Sequence, residues 1–120
     1  MNMRVIANAV CFVCLTLATA VEARTSYDGP WNLVFFTQRG SCEPTYTFSV
    51  NVSDGIVTHP NLVKFRGSVA KSGAVRASVT VHEKYASGSG RLTGESGRGT
   101  WSGRAGSDRC SGYWTAQRGQ

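Results

Sequence analysis

This 120-residue chain has few of the residues from which most active sites are built. It contains two histidines, His59 and His82, and seven acidic residues against thirteen lysines and arginines. No acidic residue stands at a suggestive spacing from either histidine, and the G-x-S-x-G motif of serine hydrolases is missing. No apolar run reaches the roughly 20 residues that cross a bilayer. The sequence therefore predicts no catalytic residue, no metal site, no cofactor and no transmembrane span.

The first 23 residues have the pattern of a secretory signal peptide. Arg4 gives a basic start, an apolar run follows, and small or permitted residues precede a cleavage position after Ala23. A second small-residue site would start the mature chain at Val21 instead. Cleavage after Ala23 leaves 97 residues, which suffice for one domain with a modest core. We predict a signal peptide over 1–23 and a single domain over 24–120 in a secreted or periplasmic protein.

Two of the four cysteines remain after that cleavage. Cys11 and Cys14 leave with the signal peptide, whereas Cys42 and Cys110 stay in the mature chain. An even pair of cysteines in an exported protein is typical of a disulfide, with two free thiols as the alternative. A bond between them would close 69 residues and stabilise the domain by roughly 4 kcal/mol in the chain-entropy model.

The mature chain loses one base and one acid with the signal peptide, so its net charge stays at +6. Outside the cytoplasm this charge favours acidic envelope components over nucleic acid. The simpler alternative is that the charge keeps a small protein soluble.

Segments of alternating side chains, separated by turn residues, run through the mature chain and predict about eight strands. The clearest is TYTFSVNV, where Tyr46, Phe48, Val50 and Val52 share one face. No segment has a helical period. The predicted strands are 31–38, 45–52, 56–59, 62–70, 74–82, 84–93, 97–104 and 109–118. Their short spacing predicts an all-β fold, either an up-and-down barrel or a compact sandwich.

Glycines and tryptophans share a phase in the last third of the chain. Glycines recur two positions apart, and Trp101 and Trp114 keep the phase of the glycines nearest them. A strand with small inward residues beside a neighbour's large ring explains this pattern, whereas a flexible linker does not. The predicted inward set is Trp31, Leu33, Phe35, Tyr46, Phe48, Val50, Val52, Ile56, Val63, Phe65, Val69, Val75, Val79, Val81, Leu92, Trp101 and Trp114.

The two cysteines favour closure of the sheet into a barrel. In an even-stranded up-and-down barrel the last strand lies antiparallel to the first, which brings Cys110 beside Cys42 and Arg118 beside Trp31. Gly29-Pro30-Trp31 with a late Arg118 resembles the opening of the lipocalins and their calycin relatives. The resemblance implies that Trp31 plugs one end of the barrel and that Arg118 packs across its ring.

The mature chain also resembles a group of small secreted alphaproteobacterial proteins without an assigned function. The likeness rests on a Y-D-G-x-W opening, one early cysteine, an S-G-x-G-x-x-x-G stretch and a C-x-G-x-W ending. In this chain these motifs begin at Tyr27, Cys42, Ser87 and Cys110. The resemblance implies export and an all-β fold, and it implies no chemistry.

Three functions are consistent with a monomeric, non-catalytic exported barrel. The first is recognition of an acidic envelope partner through outward arginines. The second is transport of a small apolar ligand in a pocket with a tryptophan floor, and the third is inhibition of a secreted hydrolase through the lead-in 24–30. The polyanion candidates are Arg66, Arg76, Arg91, Arg98 and Arg104. The ligand candidates are Trp31, Tyr46, Phe48, Trp101, Trp114 and Arg118.

Overall fold

The chain forms a closed barrel of eight antiparallel strands in a computed structural model that describes residues 26–62 and 64–119. The strands are β1 (Gly29–Arg39), β2 (Thr45–Ser53), β3 (Ile56–Thr58), β4 (Phe65–Val69), β5 (Ala74–Val81), β6 (Lys84–Thr93), β7 (Ser96–Ala105) and β8 (Asp108–Arg118). Each strand pairs with the next, and β8 pairs back with β1. The predicted up-and-down barrel is therefore confirmed. The predicted signal peptide, with Cys11 and Cys14, lies outside the described residues.

Alternation of side chains defines the two faces of the wall. In β2, Val50 and Val52 are buried and the intervening Asn51 is exposed, as the sequence pattern predicts. Most strand boundaries lie within one or two residues of the prediction. The exception is β4, which begins at Phe65 rather than at residue 62, while Val63 lies outside the described residues.

The turn between β2 and β3 corrects one predicted core residue. Asp54 and Gly55 have φ values of 51° and 79°, which form a two-residue hairpin turn that pairs Ser53 with Ile56. Directly paired residues lie on the same face, so Val57, the partner of buried Val52, points inward. Ile56 was predicted inward, but it faces outward and is 59% exposed.

The barrel has one closed end. It is the end where β2, β4, β6 and β8 finish, and Trp31 seals it with an exposure of only 1%. The Trp31 indole nitrogen donates to the Tyr27 carbonyl at 2.8 Å, and the Arg118 guanidinium lies 4.7 Å from the centre of the Trp31 ring. The predicted contact between Trp31 and Arg118 is confirmed.

Arg118 also holds the chain segment that leads into β1. Its guanidinium donates to the carbonyls of Ser26 and Asp28 at 2.6 Å and 2.9 Å and pairs with the Glu95 carboxylate at 2.8 Å. The described part of the lead-in is therefore tied to the closed end.

The opposite end, which we call the mouth, is where β1, β3, β5 and β7 finish. The Cys42–Cys110 disulfide crosses the β1–β8 seam here, with an S–S distance of 2.00 Å, and confirms the predicted pairing. Gly40, at a φ of 94°, brings the backbone against Cys110, where a Cβ atom would lie 2.7 Å from the sulfur. The disulfide is typical of an oxidising compartment. Across 26–62 and 64–119, no helix is long and apolar enough to span a membrane.

Candidate functional site

The barrel encloses an apolar cavity of about 310 Å³ that opens toward the mouth. One wall is aromatic and comes from β1, β2, β7 and β8, with Phe35, Phe48, Trp101 and Trp114. The facing wall is aliphatic and comes mainly from the valines of β3, β4 and β5. A volume of this size is at the lower end of the range for small-molecule sites.

Exposure increases along the inner wall from the closed end to the mouth. In β5, Val75 near the closed end is 9% exposed, Val79 is half-buried, and Val81 at the mouth is 37% exposed. These side chains alternate with outward residues, so their exposure comes from the interior of the barrel. Solvent therefore reaches into the cavity, and the aromatic side chains do not fill the barrel.

The aromatic wall is organised around Phe35. Its ring centre lies 5.5 Å from that of Phe48, 6.3 Å from that of Trp101 and 6.4 Å from that of Trp114. The first two pairs are edge-to-face, a geometry that aromatic side chains favour. The wall thus presents ring faces and edges rather than polar atoms.

Both indole nitrogens on this wall are used by the barrel itself. Trp101 donates to the Phe36 carbonyl at 3.1 Å, and Trp114 donates to the Ser89 carbonyl at 3.2 Å. Within the described residues, no buried side-chain nitrogen or oxygen lacks a partner. A polar group carried deep into the cavity would find no partner, and its burial would cost free energy.

Glycines in β6 and β7 make room for the Trp114 ring, as the shared phase predicted. A Cβ atom at Gly99 would lie 2.6 Å from two ring atoms of Trp114, and one at Gly88 would lie 3.5 Å from its nitrogen. The Cβ atom at Gly99 would also overlap the Ser89 carbonyl oxygen, so a side chain there would displace both the ring and the backbone of the paired strand. The barrel therefore contains both the glycines that accommodate the ring and an open cavity.

Five of the six predicted ligand residues line the cavity. Trp31 forms its floor, but Trp101 and Trp114 lie on the wall rather than on the floor. Arg118 does not line the cavity, because it packs on Trp31 at the closed end. The lining residues Tyr46, Phe48, Trp101 and Trp114 come from β2, β7 and β8.

Other lining residues were not assigned to the predicted site. Phe35, Phe65 and Val79 were recognised only as inward residues, and Lys84 at the mouth was not singled out. The alternating phase gives the side of the wall on which a residue lies. It does not show which inward residues border empty space.

The mouth carries positive charge on strands β6, β7 and β8. Lys84 and Arg104 border the opening of the cavity, and Arg104 pairs directly with Arg109 across the β7–β8 ladder. Of the carboxylates near this end, Asp108 accepts a hydrogen bond from the Ser41 hydroxyl at 2.8 Å, and Glu83 occupies the β5–β6 turn. Among the described residues, none of the three cations forms an ion pair with a carboxylate.

The outer wall brings four of the five predicted polyanion residues together. Arg91 and Arg98 pair directly across β6 and β7, and Arg76 lies diagonal both to Arg91 and to Arg66. Diagonal positions are about 7–8 Å apart and direct partners about 5 Å apart. These four residues form what we call the arginine stripe. Arg104 lies six residues from Arg98 along β7, at the mouth, and does not belong to it.

The arginine stripe is not neutralised by carboxylates on the same wall. Among the described residues, the acidic side chains occupy the ends of the barrel, in turns and loops or at the first position of β8: Asp28, Glu43, Asp54, Glu83, Glu95 and Asp108. Outward positions beside the stripe carry hydroxyls instead, including Ser68, Ser78, Ser89 and Thr100. The wall is therefore both basic and rich in hydroxyl groups.

The two histidines lie at the mouth on separate segments, His59 after β3 and His82 between β5 and β6. His59 is half-buried, with its ring centre 6.0 Å from Phe48 and 6.4 Å from Phe65. His82 is the last residue of the predicted strand 74–82, but it occupies the β5–β6 turn with a φ of 57°. No group of three or more His, Cys, Asp or Glu side chains in 26–62 and 64–119 could hold a metal ion.

No family model, curated protein or solved structure matches this chain. By its fold and its cavity, the protein is a small closed β-barrel with an open apolar interior.

Proposed function

We propose that this protein binds a small apolar molecule inside its barrel. The observation that carries the proposal is the open cavity of about 310 Å³, with exposure that increases from Val75 to Val81. Burial of apolar ligand surface contributes roughly 25 cal/mol per Å², and the satisfied indoles offer no competing polar contact. A calycin-like carrier of an apolar ligand fits these features better than a filled structural barrel.

A substitution that fills the cavity tests this proposal. Val79 lines the middle of the aliphatic wall, so Val79→Phe would place a ring in the part of the cavity that the ligand would occupy. Thr80→Phe is the matched control, because the same ring at the next position projects from the outer face. Binding of a panel of apolar molecules is measured by tryptophan fluorescence, since Trp101 and Trp114 border the cavity.

The wild type and Thr80→Phe are expected to give the same saturable fluorescence change, and Val79→Phe is expected to weaken it at least tenfold. Thermal unfolding and an intact Cys42–Cys110 bond check that each variant is folded. Equal binding by Val79→Phe and Thr80→Phe would place the ligand outside the barrel. The proposal would then be wrong.

The arginine stripe supports a second function, recognition of an acidic partner on the outer wall. Arg91 and Arg98 are like charges placed directly opposite each other, an arrangement that destabilises a sheet, and the Arg91 guanidinium also donates to the Ser72 carbonyl at 3.1 Å. A linear polyanion crossing β4 to β7 would contact all four guanidinium groups. Its affinity would decrease strongly with salt, because the side chains are exposed.

Two arginines on β7 distinguish binding at the arginine stripe from a general effect of the protein's net charge. Arg98 belongs to the arginine stripe, whereas Arg104 lies at the mouth, and both are exposed residues of β7. On a heparin column, Arg98→Gln is expected to elute at clearly lower salt than Arg104→Gln. If the two variants elute together, only net charge matters, and the stripe is not a site.

The cellular setting that we propose is the periplasm or the extracellular space. A signal peptide over 1–23 would export the chain, and the disulfide between Cys42 and Cys110 is typical of such compartments. Export as a monomer would leave both the mouth and the arginine stripe accessible. Mass spectrometry of the exported protein would show a mature start at Arg24 or Val21.

A further inference from the structure

We infer that the ligand is an amphiphile with an anionic head, which lies at the mouth between Lys84 and Arg104 while its apolar tail enters the cavity. This inference rests on the proposed binding of an apolar molecule inside the barrel. It adds the chemistry of the ligand's other end and the direction in which the ligand enters.

The apolar depth of the cavity limits where a polar head can lie. The closed end is sealed by Trp31, and the indole N–H groups of Trp101 and Trp114 already donate to backbone carbonyls. A charged head at depth would lose its hydration without a partner, at a large cost. The only charged side chains that border the cavity, among the described residues, are Lys84 and Arg104.

The position of Lys84 makes it the nearest cation to the ligand. It is the first residue of β6, and it has the same inward phase as Ala86, Gly88, Gly90 and Leu92 below it. It pairs with Ala105 on one side and Val81 on the other, and both of these residues also border the cavity. Its side chain therefore starts at the rim of the opening, on the face of the strand that lines the cavity.

Arg104 adds a second cation, and it forms no ion pair with a carboxylate within 26–62 and 64–119. Its phase is outward, opposite to that of Trp101, but it borders the opening because it lies one residue from the end of β7. Of the carboxylates near the mouth, Asp108 accepts a hydrogen bond from Ser41, and Asp108, Glu43 and Glu83 do not border the cavity. An anionic head at the rim would therefore lie between the inward Lys84 and the outward Arg104.

The length of the cavity indicates a tail of intermediate length. Its lining extends along β5 from Val75 to Val81, which is about 20 Å of strand at roughly 3.3 Å per residue. Strands in such barrels tilt by about 40°, so the depth along the barrel axis is about 15 Å. A single acyl chain of about a dozen carbons fits this shape better than a branched or fused-ring lipid.

A pair of ligands that differ only in the head group tests the inference. Dodecanoate and 1-dodecanol carry the same tail, and their affinities are measured by tryptophan fluorescence at about 20 mM and about 500 mM salt. We expect dodecanoate to bind about three- to tenfold more tightly at low salt, since each exposed charge contact contributes a factor of about two to five. The advantage is expected to decrease at high salt.

Two double variants then test whether the tighter binding of dodecanoate depends on the cations at the mouth. Lys84→Gln with Arg104→Gln is expected to remove the difference, so that dodecanoate and dodecanol bind this variant with equal affinity at both salt concentrations. The matched control, Arg76→Gln with Arg98→Gln, removes the same charge from the arginine stripe and is expected to change neither ligand.

Three outcomes would contradict us, and they have different meanings. If neither ligand binds, the proposed cavity function itself fails. If the acid and the alcohol bind equally at both salt concentrations, the apolar site stands and the anionic head is wrong. If the control pair weakens dodecanoate as much as the mouth pair does, the acid is held by overall charge, and the assignment to Lys84 and Arg104 is wrong.

Discussion

Arg118, at the closed end, is expected to be the charged side chain that contributes most to stability. It contacts the ring of Trp31, donates to the carbonyls of Ser26 and Asp28, and pairs with Glu95. Arg118→Met keeps much of the aliphatic stem but removes every one of these interactions. The closed end would then lose its connection to the lead-in.

The size of the effect follows from the individual contacts. The cation–π contact contributes about 1–2 kcal/mol, and each charged hydrogen bond to a carbonyl about 1.5 kcal/mol. The ion pair adds about 0.5 kcal/mol, because the Glu95 side chain is 75% exposed. These terms share one side chain, and the freed carbonyls can be hydrated, so they do not add fully. We expect the free energy of unfolding to decrease by about 3 kcal/mol.

Thermal and urea unfolding measure this loss. For a domain of this size, 1 kcal/mol corresponds to about 4–8 °C in Tm, so Arg118→Met is expected to melt roughly 12–24 °C lower. Arg66→Met is the matched control, because within the described residues the exposed Arg66 side chain forms no ion pair. Glu95→Gln removes the ion pair alone and is expected to cost less than about 1 kcal/mol.

A loss in Arg118→Met within about 1 kcal/mol of that in Arg66→Met would refute this reasoning. It would mean that Trp31 seals the barrel by burial alone and that the contacts of Arg118 are a consequence of the seal. A loss reproduced in full by Glu95→Gln would refute it differently, since it would assign the stability to the ion pair.

Two further changes have defined expectations. Replacing Cys42 and Cys110 with alanine removes a disulfide between residues 68 positions apart and is expected to lower the free energy of unfolding in urea by about 4 kcal/mol. A decrease below about 1 kcal/mol would show that the unfolded chain is already restricted without the bond. Gly99→Ala is expected to destabilise the barrel by about 1–3 kcal/mol and to change the near-ultraviolet circular dichroism of Trp114. Gly106→Asn is the control and is expected to have little effect, because Gly106 lies in a turn with a φ of 62° and has open space around it. Equal stability of the two glycine variants would contradict the packing that we describe.

Local pattern was sufficient for most of the architecture. Alternation in 45–52 and 84–93 predicted β2 and β6 nearly to the residue, because a wall with one apolar face imposes a period of two. The β5–β6 turn was harder to place, since His82 and Glu83 include neither glycine nor proline. Ile56 was wrongly predicted inward, although Asp54-Gly55 is typical of a two-residue hairpin turn, and such a turn pairs Ile56 with the outward Ser53.

The two candidate sites differ in how much of each could be predicted from the sequence without the tertiary structure. The aromatic residues of the cavity could be recognised as inward, and the arginines as outward, from phase alone. The arginine stripe required the register between strands, because a shift of two residues would separate Arg91 from Arg98. Lys84 has the inward phase, but only its place at the end of β6 shows that it stands over an opening.

The amino-acid order by itself predicted the strands, most of their faces, the pairing of Cys42 with Cys110 and the match between small residues and indole rings. These are local or pairwise consequences of side-chain alternation and of residue size. The tertiary structure decided that a void remains inside the barrel and that its opening is positively charged. That outcome depends on how far the rings of Phe35, Trp101 and Trp114 reach across a wall of eight strands, which is a property of the closed barrel as a whole.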